Sequence, residues 1–246
     1  MMKKVFFAAF VLLIVMGFAA CSNKQVPVST VNLQLQNSVD SLLKQGMGEY
    51  GATEGMAIVV ETSTGNLRAM VGLKENSGKL VSDTTLFSKA RETFLFRSAS
   101  LLAALETGNV SLDDMFDTYA GIDVVGQDTI YDHNWRKGGY GDLTLLQGLA
   151  YNSSIAIDKA VDVVYQDKDV FLQKLEQMGL EKDSTFKGSW PVYALGFHHI
   201  KPVNFVSFFN GIANGGKMVS LKSQDSSAIV IDSMIAEKKN IESMKK

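Results

Sequence analysis

Two β-rich runs flank a tight turn early in the chain, and no comparable strand pair follows. Met56-Ala57-Ile58-Val59-Val60-Glu61 leads into Ser63-Thr64-Gly65-Asn66, and residues 67–71 return. Turn residues between apolar runs that favour extended backbone predict a hairpin over residues 55–73. Elsewhere the apolar spacing is helical. Leu35, Val39, Leu42 and Leu43 predict an amphipathic helix over residues 31–45, ended by Gly46 and Gly48. Residues 94–105 are mostly apolar and predict a buried helix, with Gly108 past its end. Thr144 is placed to cap a helix reaching Tyr151, and a second runs over residues 154–164. Asp167 or Asp169 starts a third, which carries Phe171, Leu172, Leu175 and Met178 on one face. Pro202 sits where a first helical residue belongs, before an apolar run to Ala213 and the Gly215-Gly216 stop. Segments 74–90 and 111–141 read as loops. The last stretch holds one β-like run, Ile229-Val230-Ile231, and a polar, lysine-rich tail. One hairpin among many helices makes an α+β domain low in strand.

The start of the chain reads as an address. Lys3 and Lys4 precede an apolar run over residues 5–16, too short to span a membrane comfortably but suited to the core of a secretory signal. Phe18-Ala19-Ala20-Cys21 follows, and small residues before a cysteine resemble the bacterial lipobox, in which the cysteine is lipidated and the signal cut before it. The expected organisation is a signal peptide over 1–20, a lipid-anchored tether over 21–30 and a domain over 31–246. Two acyl chains on Cys21 would hold the protein stably to a membrane, by default on its periplasmic side. Cys21 is the sole cysteine, so no disulfide within the chain is possible, and no Cys/His constellation suggests zinc or another cofactor. A net charge of −2 gives no basic excess for a nucleic-acid partner.

Four blocks, in order, carry a family resemblance. They are the hairpin from Gly55 through Val71, Leu102-Ala103-Ala104-Leu105-Glu106-Thr107-Gly108, Gly141-Asp142-Leu143-Thr144-Leu145-Leu146-Gln147, and Ile212-Ala213-Asn214-Gly215-Gly216-Lys217. Together, over roughly residues 33–222, they resemble the transpeptidase domain of penicillin-binding proteins. The resemblance implies a penicillin-binding protein/serine β-lactamase-like fold, mostly helical, here with an incomplete antiparallel sheet. It also implies a chemistry that rests on three motifs, S-x-x-K, S-x-N and K-T-G. The serine attacks an acyl donor, and the lysine one helical turn away takes its proton.

This sequence departs from all three motifs. Counting back from the Leu102–Gly108 block, the serine position falls on Phe94 and the lysine position on Arg97. Phenylalanine has no nucleophile, and arginine stays protonated at any working pH. Glu92-Thr93 stands where the family has Pro-Gly; Thr93 is a stray hydroxyl with Phe96 where its lysine would be. Phe94-Leu95-Phe96 reads as core packing at a helix start. The second motif falls on Asn152-Ser153-Ser154, with the end residues swapped. On a helix a two-residue shift carries a group to the far side, so Asn152 and Ser154 are expected to serve as a helix cap. No Lys-Thr-Gly or Lys-Ser-Gly occurs, and the sequence ends about where the family's K-T-G strand, two further strands and a last helix would follow.

Ser184-Thr185-Phe186-Lys187 matches the first motif literally, but Gly188, Ser189 and Pro191 follow at once, so it reads as a surface loop. His133, His198 and His199 read as solvated loop residues, with an Asp132/His133/His199 site as the alternative. Asp113, Asp114, Asp123 and Asp128 form no recognised cation loop. The expected function is therefore a catalytically inactive, transpeptidase-like binding or scaffold module of the cell envelope. Its expected partners are peptidoglycan or cell-wall synthesis proteins. Three alternatives stand beside it: a truncated relic without a fold of its own, a split domain completed by another chain, and an active peptidoglycan D,D-transpeptidase using displaced residues.

Overall fold

The computed structural model describes residues 28–245; the signal segment and Cys21 lie outside them. Helix α1 (Leu33–Tyr50) is opened by Asn32, whose side chain accepts from the Leu35 amide, and closed by Gly51 in the left-handed conformation. It runs through Gly46 and Gly48, because Met47 is buried with Val71 and Leu73 beneath the hairpin, and this packing outweighs the poor helix propensity of glycine. Strands β1 (Glu54–Val60) and β2 (Leu67–Asn76) form the expected antiparallel hairpin. A third strand, β3 (Lys79–Ser82), extends the sheet in the order β1-β2-β3 where a loop was expected. Its residues alternate too weakly in polarity to be read as a strand. A 3-10 turn, Thr84–Phe87, then buries Leu86 and Phe87.

Helix α2 (Phe96–Glu106) is the axis of the domain, with every residue from Ala99 to Leu105 buried. One apolar cluster packs it against α5 (Lys168–Gln177), α6 (Trp190–Ala194) and α7 (Pro202–Ala213). A second cluster packs it against α3 (Leu145–Ala150) and α4 (Ser154–Val164). A helix apolar on all sides must be enclosed, and burying a side chain the size of Phe96 or Leu101 is worth about 2–3 kcal/mol each. Thr144 caps α3 in a full capping box with Gln147, as its spacing predicts.

Residues 111–141 are less irregular than expected. They contain β4 (Met115–Asp117), which pairs with β7 (Asp142–Thr144), and the small hairpin β5 (Ile122–Val125)–β6 (Asp128–Tyr131). The expected run near Ile229 is strand β9 (Val230–Asp232), paired with β8 (Met218–Val219). The lysine-rich tail forms a short helix, α8 (Lys238–Ser243), whose Ile241 enters the core. Asn240 Nδ2 in this helix donates to the Leu105 carbonyl and to Glu106, capping the end of α2. At the other terminus the expected tether ends earlier than residue 30. Thr30 is buried, and its hydroxyl donates to the Leu67 carbonyl at 3.0 Å while its amide donates to Ser223. Among the described residues no helix is long and apolar enough to cross a membrane.

Candidate functional site

The four residues that the resemblance places at motif positions, Phe94, Arg97, Asn152 and Ser154, converge. At the start of α2, Phe94 is 54% exposed, Phe96 1% and Arg97 4%. The expectation that Phe94 packs in the core is therefore wrong; Phe96 takes that role, and Phe94 lies outside. The three-residue spacing stacks Phe94 over Arg97, with the guanidinium carbon 4.6 Å from the ring centroid. Phe197 meets the same ring edge-on at 5.6 Å.

Arg97 reaches from α2 to the approach of α4. Its Nη1 donates to the backbone carbonyl and the side-chain oxygen of Asn152, both at 2.7 Å. Its Nη2 donates to Ser154 Oγ at 2.9 Å, and that hydroxyl donates onward to the Tyr131 carbonyl at 3.0 Å. Asn152 and Ser154 therefore face the same group, not opposite sides of a helix. The reason is local backbone: α4 begins only at Ser154, and Asn152 adopts φ +55 in the turn before it. Helical rotation does not apply across a left-handed turn residue, and asparagine tolerates that conformation better than most side chains. Neither residue is the cap. Ser153 is, accepting from the Ala156 amide at 3.1 Å.

Behind the arginine lies Asp132, fully buried, which accepts from Ser153 Oγ at 2.8 Å and from the Ile155 amide at 3.3 Å. A carboxylate at the start of α4 is stabilised by the exposed amides of that helix end. Burial lowers the Arg97 guanidinium to about 10, against the opposing field of Asp132, so it remains a cation at neutral pH. The Ser154 hydroxyl is held between a cation and a carbonyl, and Thr93 Oγ1 accepts from the Leu95 amide. Among the described residues no carboxylate, imidazole or amine touches either hydroxyl as a nucleophile's base would.

Aromatic side chains border the cluster. Tyr151, beside Asn152, stacks on Tyr140 at 5.2 Å, and Tyr131 lies 5.4 Å from Trp135. Tyr131 and Tyr151 are each about half exposed. Asp132, Ser153 and this aromatic rim were not singled out as one site in the sequence. They lie on two segments, 131–140 and 151–153, and only the fold brings these together.

The remaining candidates separate. Ser184 and Lys187 are exposed in the loop between α5 and α6, so no helix holds them together. Asp132, His133 and His199 do not assemble. His133 meets the Tyr140 hydroxyl at 3.0 Å, while the His199 amide donates to Asp183 at 2.9 Å. His198 is not a solvated loop residue. It is buried, stacks on Tyr193 at 3.7 Å and meets Phe96 edge-on at 4.3 Å. Burial pushes it down to about 4, so it is neutral at physiological pH. Among the described residues no group of three or more His, Cys, Asp or Glu is placed to hold a metal ion.

No protein-family model matches the chain, and no curated protein matches it in sequence. Its fold does match solved structures. A peptidoglycan glycosyltransferase from Burkholderia ambifaria superposes with a TM-score of 0.72 at 14% identity, over 88% of this chain and 72% of that one. The transpeptidase domain of Burkholderia pseudomallei penicillin-binding protein 3 gives 0.72 at 15%, over 91% and 69%. Penicillin-binding protein 2X from Streptococcus thermophilus gives 0.75 at 18%, over 89% of this chain and 37% of that one. The chain has the α+β fold of penicillin-binding protein transpeptidase domains.

Proposed function

We propose that this chain is a non-catalytic binding module of the cell envelope, built on the transpeptidase fold and tethered to a membrane through a lipid on Cys21. Its ligand is peptidoglycan or a protein that synthesises it. The observation that carries the reading is the state of Arg97. Acyl transfer on this fold, as the resemblance implies it, needs a nucleophile with a base one turn away. Here the pair is Phe94 and Arg97, a ring stacked on a guanidinium that is charged at neutral pH and whose Nη groups are already bound to Asn152 and Ser154. The group that would move a proton has become a strut joining α2 to α4. Around it, Tyr131, Trp135, Tyr140 and Tyr151 supply rigid amphipathic surface of the kind that dominates binding sites.

Co-sedimentation of the full chain with purified peptidoglycan sacculi tests the reading. The expected result is retention that falls at least fivefold in Trp135→Ala and Tyr151→Ala, with the muropeptide cross-linking of the sacculi unchanged. A change in cross-linking would make the chain an enzyme. No retention by sacculi, and none by membranes carrying the cell-wall synthesis proteins, would favour a relic.

A further inference from the structure

Residues 118–141 form an arm that leaves the domain at β4 and returns at β7, two strands paired with each other. The arm carries Tyr131, Trp135 and Tyr140 of the aromatic rim, whereas Tyr151 stands at the end of α3. Two sets of contacts hold the arm against α4. At the start of that helix, Ser153 binds Asp132 and Ser154 binds the Tyr131 carbonyl. One turn further along, Lys159 clasps the arm's first turn. Its Nζ donates to the Asp117 carbonyl at 2.6 Å, and lies 3.7 Å from the Tyr119 ring centroid and 3.7 Å from Asp123 Oδ2. Tyr119 is held at φ +51, a conformation that is costly for a bulky residue and persists only where its surroundings impose it. This turn backs the rim. A Cβ on Gly121 would run into Trp135, a Cβ on Gly139 would run into the Ala120 backbone, and the Asp132 amide donates to the Gly121 carbonyl at 2.9 Å.

Beside Lys159 on the helix is Asp158, only 4% exposed. Among the described residues no hydrogen bond or ion pair reaches its carboxyl group, and a buried carboxyl without a partner resists ionisation. The charges that bear on it are Asp162 and Lys159 of its own helix and Asp123 of β5. The other elements packed on α4 bring groups that are engaged or distant from it in charge. From α2 come Arg97, bound to Asn152 and Ser154, and Glu106, paired with Lys174. Helix α3 has no ionisable side chain, and Tyr193 of α6 accepts from the Asp183 amide. Asp117 of β4 accepts from the Tyr119 amide, and β6 carries Asp128 and Tyr131. Two carboxylates thus oppose the ionisation of Asp158 and one ammonium favours it. Burial first, then Asp162 and Asp123, raises it to about 7.

We propose that Asp158 is a pH-sensitive catch on the aromatic rim. Protonated, it leaves the arm clasped by Lys159; ionised, it escapes burial and the charge of Asp123 only when the arm comes away from α4, which parts Tyr140 from Tyr151. Linkage sets the direction. The buried group holds its proton more tightly than a solvated one, so the closed arm is fully favoured below about pH 4 and loses ground as pH rises toward 7. The inference rests on the binding-module reading and gives the rim a regulator.

The test is hydrogen exchange of the full chain in phospholipid nanodiscs, read by mass spectrometry at pH 5 and pH 7 and corrected for the intrinsic rate. Peptides covering 118–141 should exchange faster than those covering 99–105, through a local opening. The equilibrium constant of that opening should rise about tenfold or more from pH 5 to pH 7 in the parent chain and stay level in Asp158→Asn. Lys159→Met, which removes the clasp, should open the arm at pH 5 as well. Retention on sacculi should fall about threefold or more over the same pH interval in the parent chain and hold level in Asp158→Asn. The proposal is overturned if Asp158→Asn keeps the parent's pH dependence, if the arm exchanges only together with the 99–105 segment, or if Lys159→Met is as closed at pH 5 as the parent. Equal, measurable retention at both pH values while the arm opens would overturn it too. An arm that opens with pH in a chain that sacculi retain at neither pH would sink the binding-module reading and leave the catch standing.

Discussion

Replacing Arg97 with methionine keeps the length and apolar stem of the side chain but removes the strut. The arginine makes three charge-assisted hydrogen bonds, at 2.7, 2.7 and 2.9 Å, and a cation–π contact with Phe94. Bonds to a charged group contribute about 1.5–3 kcal/mol each, though bonds sharing one guanidinium do not add fully. Two effects work the other way. Methionine escapes the desolvation that lowers the arginine to about 10, and the exposed Asn152 can turn to water. Asp132, however, loses the nearby cation that its field favours. The balance is a loss of about 3 kcal/mol, or roughly 6–12 °C in Tm for a domain of this size. Thermal unfolding of the full chain by circular dichroism measures it. Phe94→Ala, which removes an exposed ring, should cost about 1 kcal/mol or less. A loss below about 1 kcal/mol for Arg97→Met, or any gain, would refute the view that Arg97 ties α2 to α4.

Two buried groups give opposite pH responses. Burial, with Asp162 and Asp123 nearby, raises Asp158 to about 7, so its ionisation destabilises the fold as pH rises from about 4 to 7, by up to about 4 kcal/mol. Asp158→Asn should therefore stabilise the protein by about 2 kcal/mol more at pH 8 than at pH 5; equal effects in melts at the two pH values would contradict this. His198, pushed down to about 4, loses stability as pH falls from 6.5 toward 4, by up to about 3 kcal/mol, and His198→Phe should flatten that limb of the stability curve. Gly65 has φ +75, and a Cβ there would run into the Ser220 carbonyl oxygen. Gly65→Ala should cost about 2 kcal/mol or more, read as a lowered denaturant midpoint, and an unchanged midpoint would show that the hairpin turn and the 219–222 segment are not in contact.

What the sequence disclosed depended on how strongly each element punctuates itself. Thr144 with Gln147, and Pro202 before an apolar run, are local signals, and both ends formed where they point. The hairpin was legible for the same reason. Strand β3, the β5–β6 hairpin and helix α6 have no run long enough to show a period, and α8 is carried by Asn240 and Ile241 in a charged tail. Gly46 and Gly48 misled, because helix α1 continues wherever Met47 has a sheet to cover. At the site, residue identities were legible and their geometry was not. Phe94, Arg97, Asn152 and Ser154 stood out, but placing Asn152 and Ser154 on opposite faces assumed a helix that has not yet begun there. Asp132 was legible only beside His133 and His199, since its place behind Arg97, on Ser153 and the Ile155 amide, comes from burial among residues distant in sequence.

On the proposed reading, Arg97 is a strut where the resemblance implies acylation machinery. Intact-mass spectrometry of the full chain after incubation with excess benzylpenicillin tests it most directly. The account predicts no covalent adduct, in the parent chain and in Ser184→Ala alike. An adduct that forms stoichiometrically and maps to Thr93, Ser154 or Ser184 would contradict it and return the chain to the active enzymes.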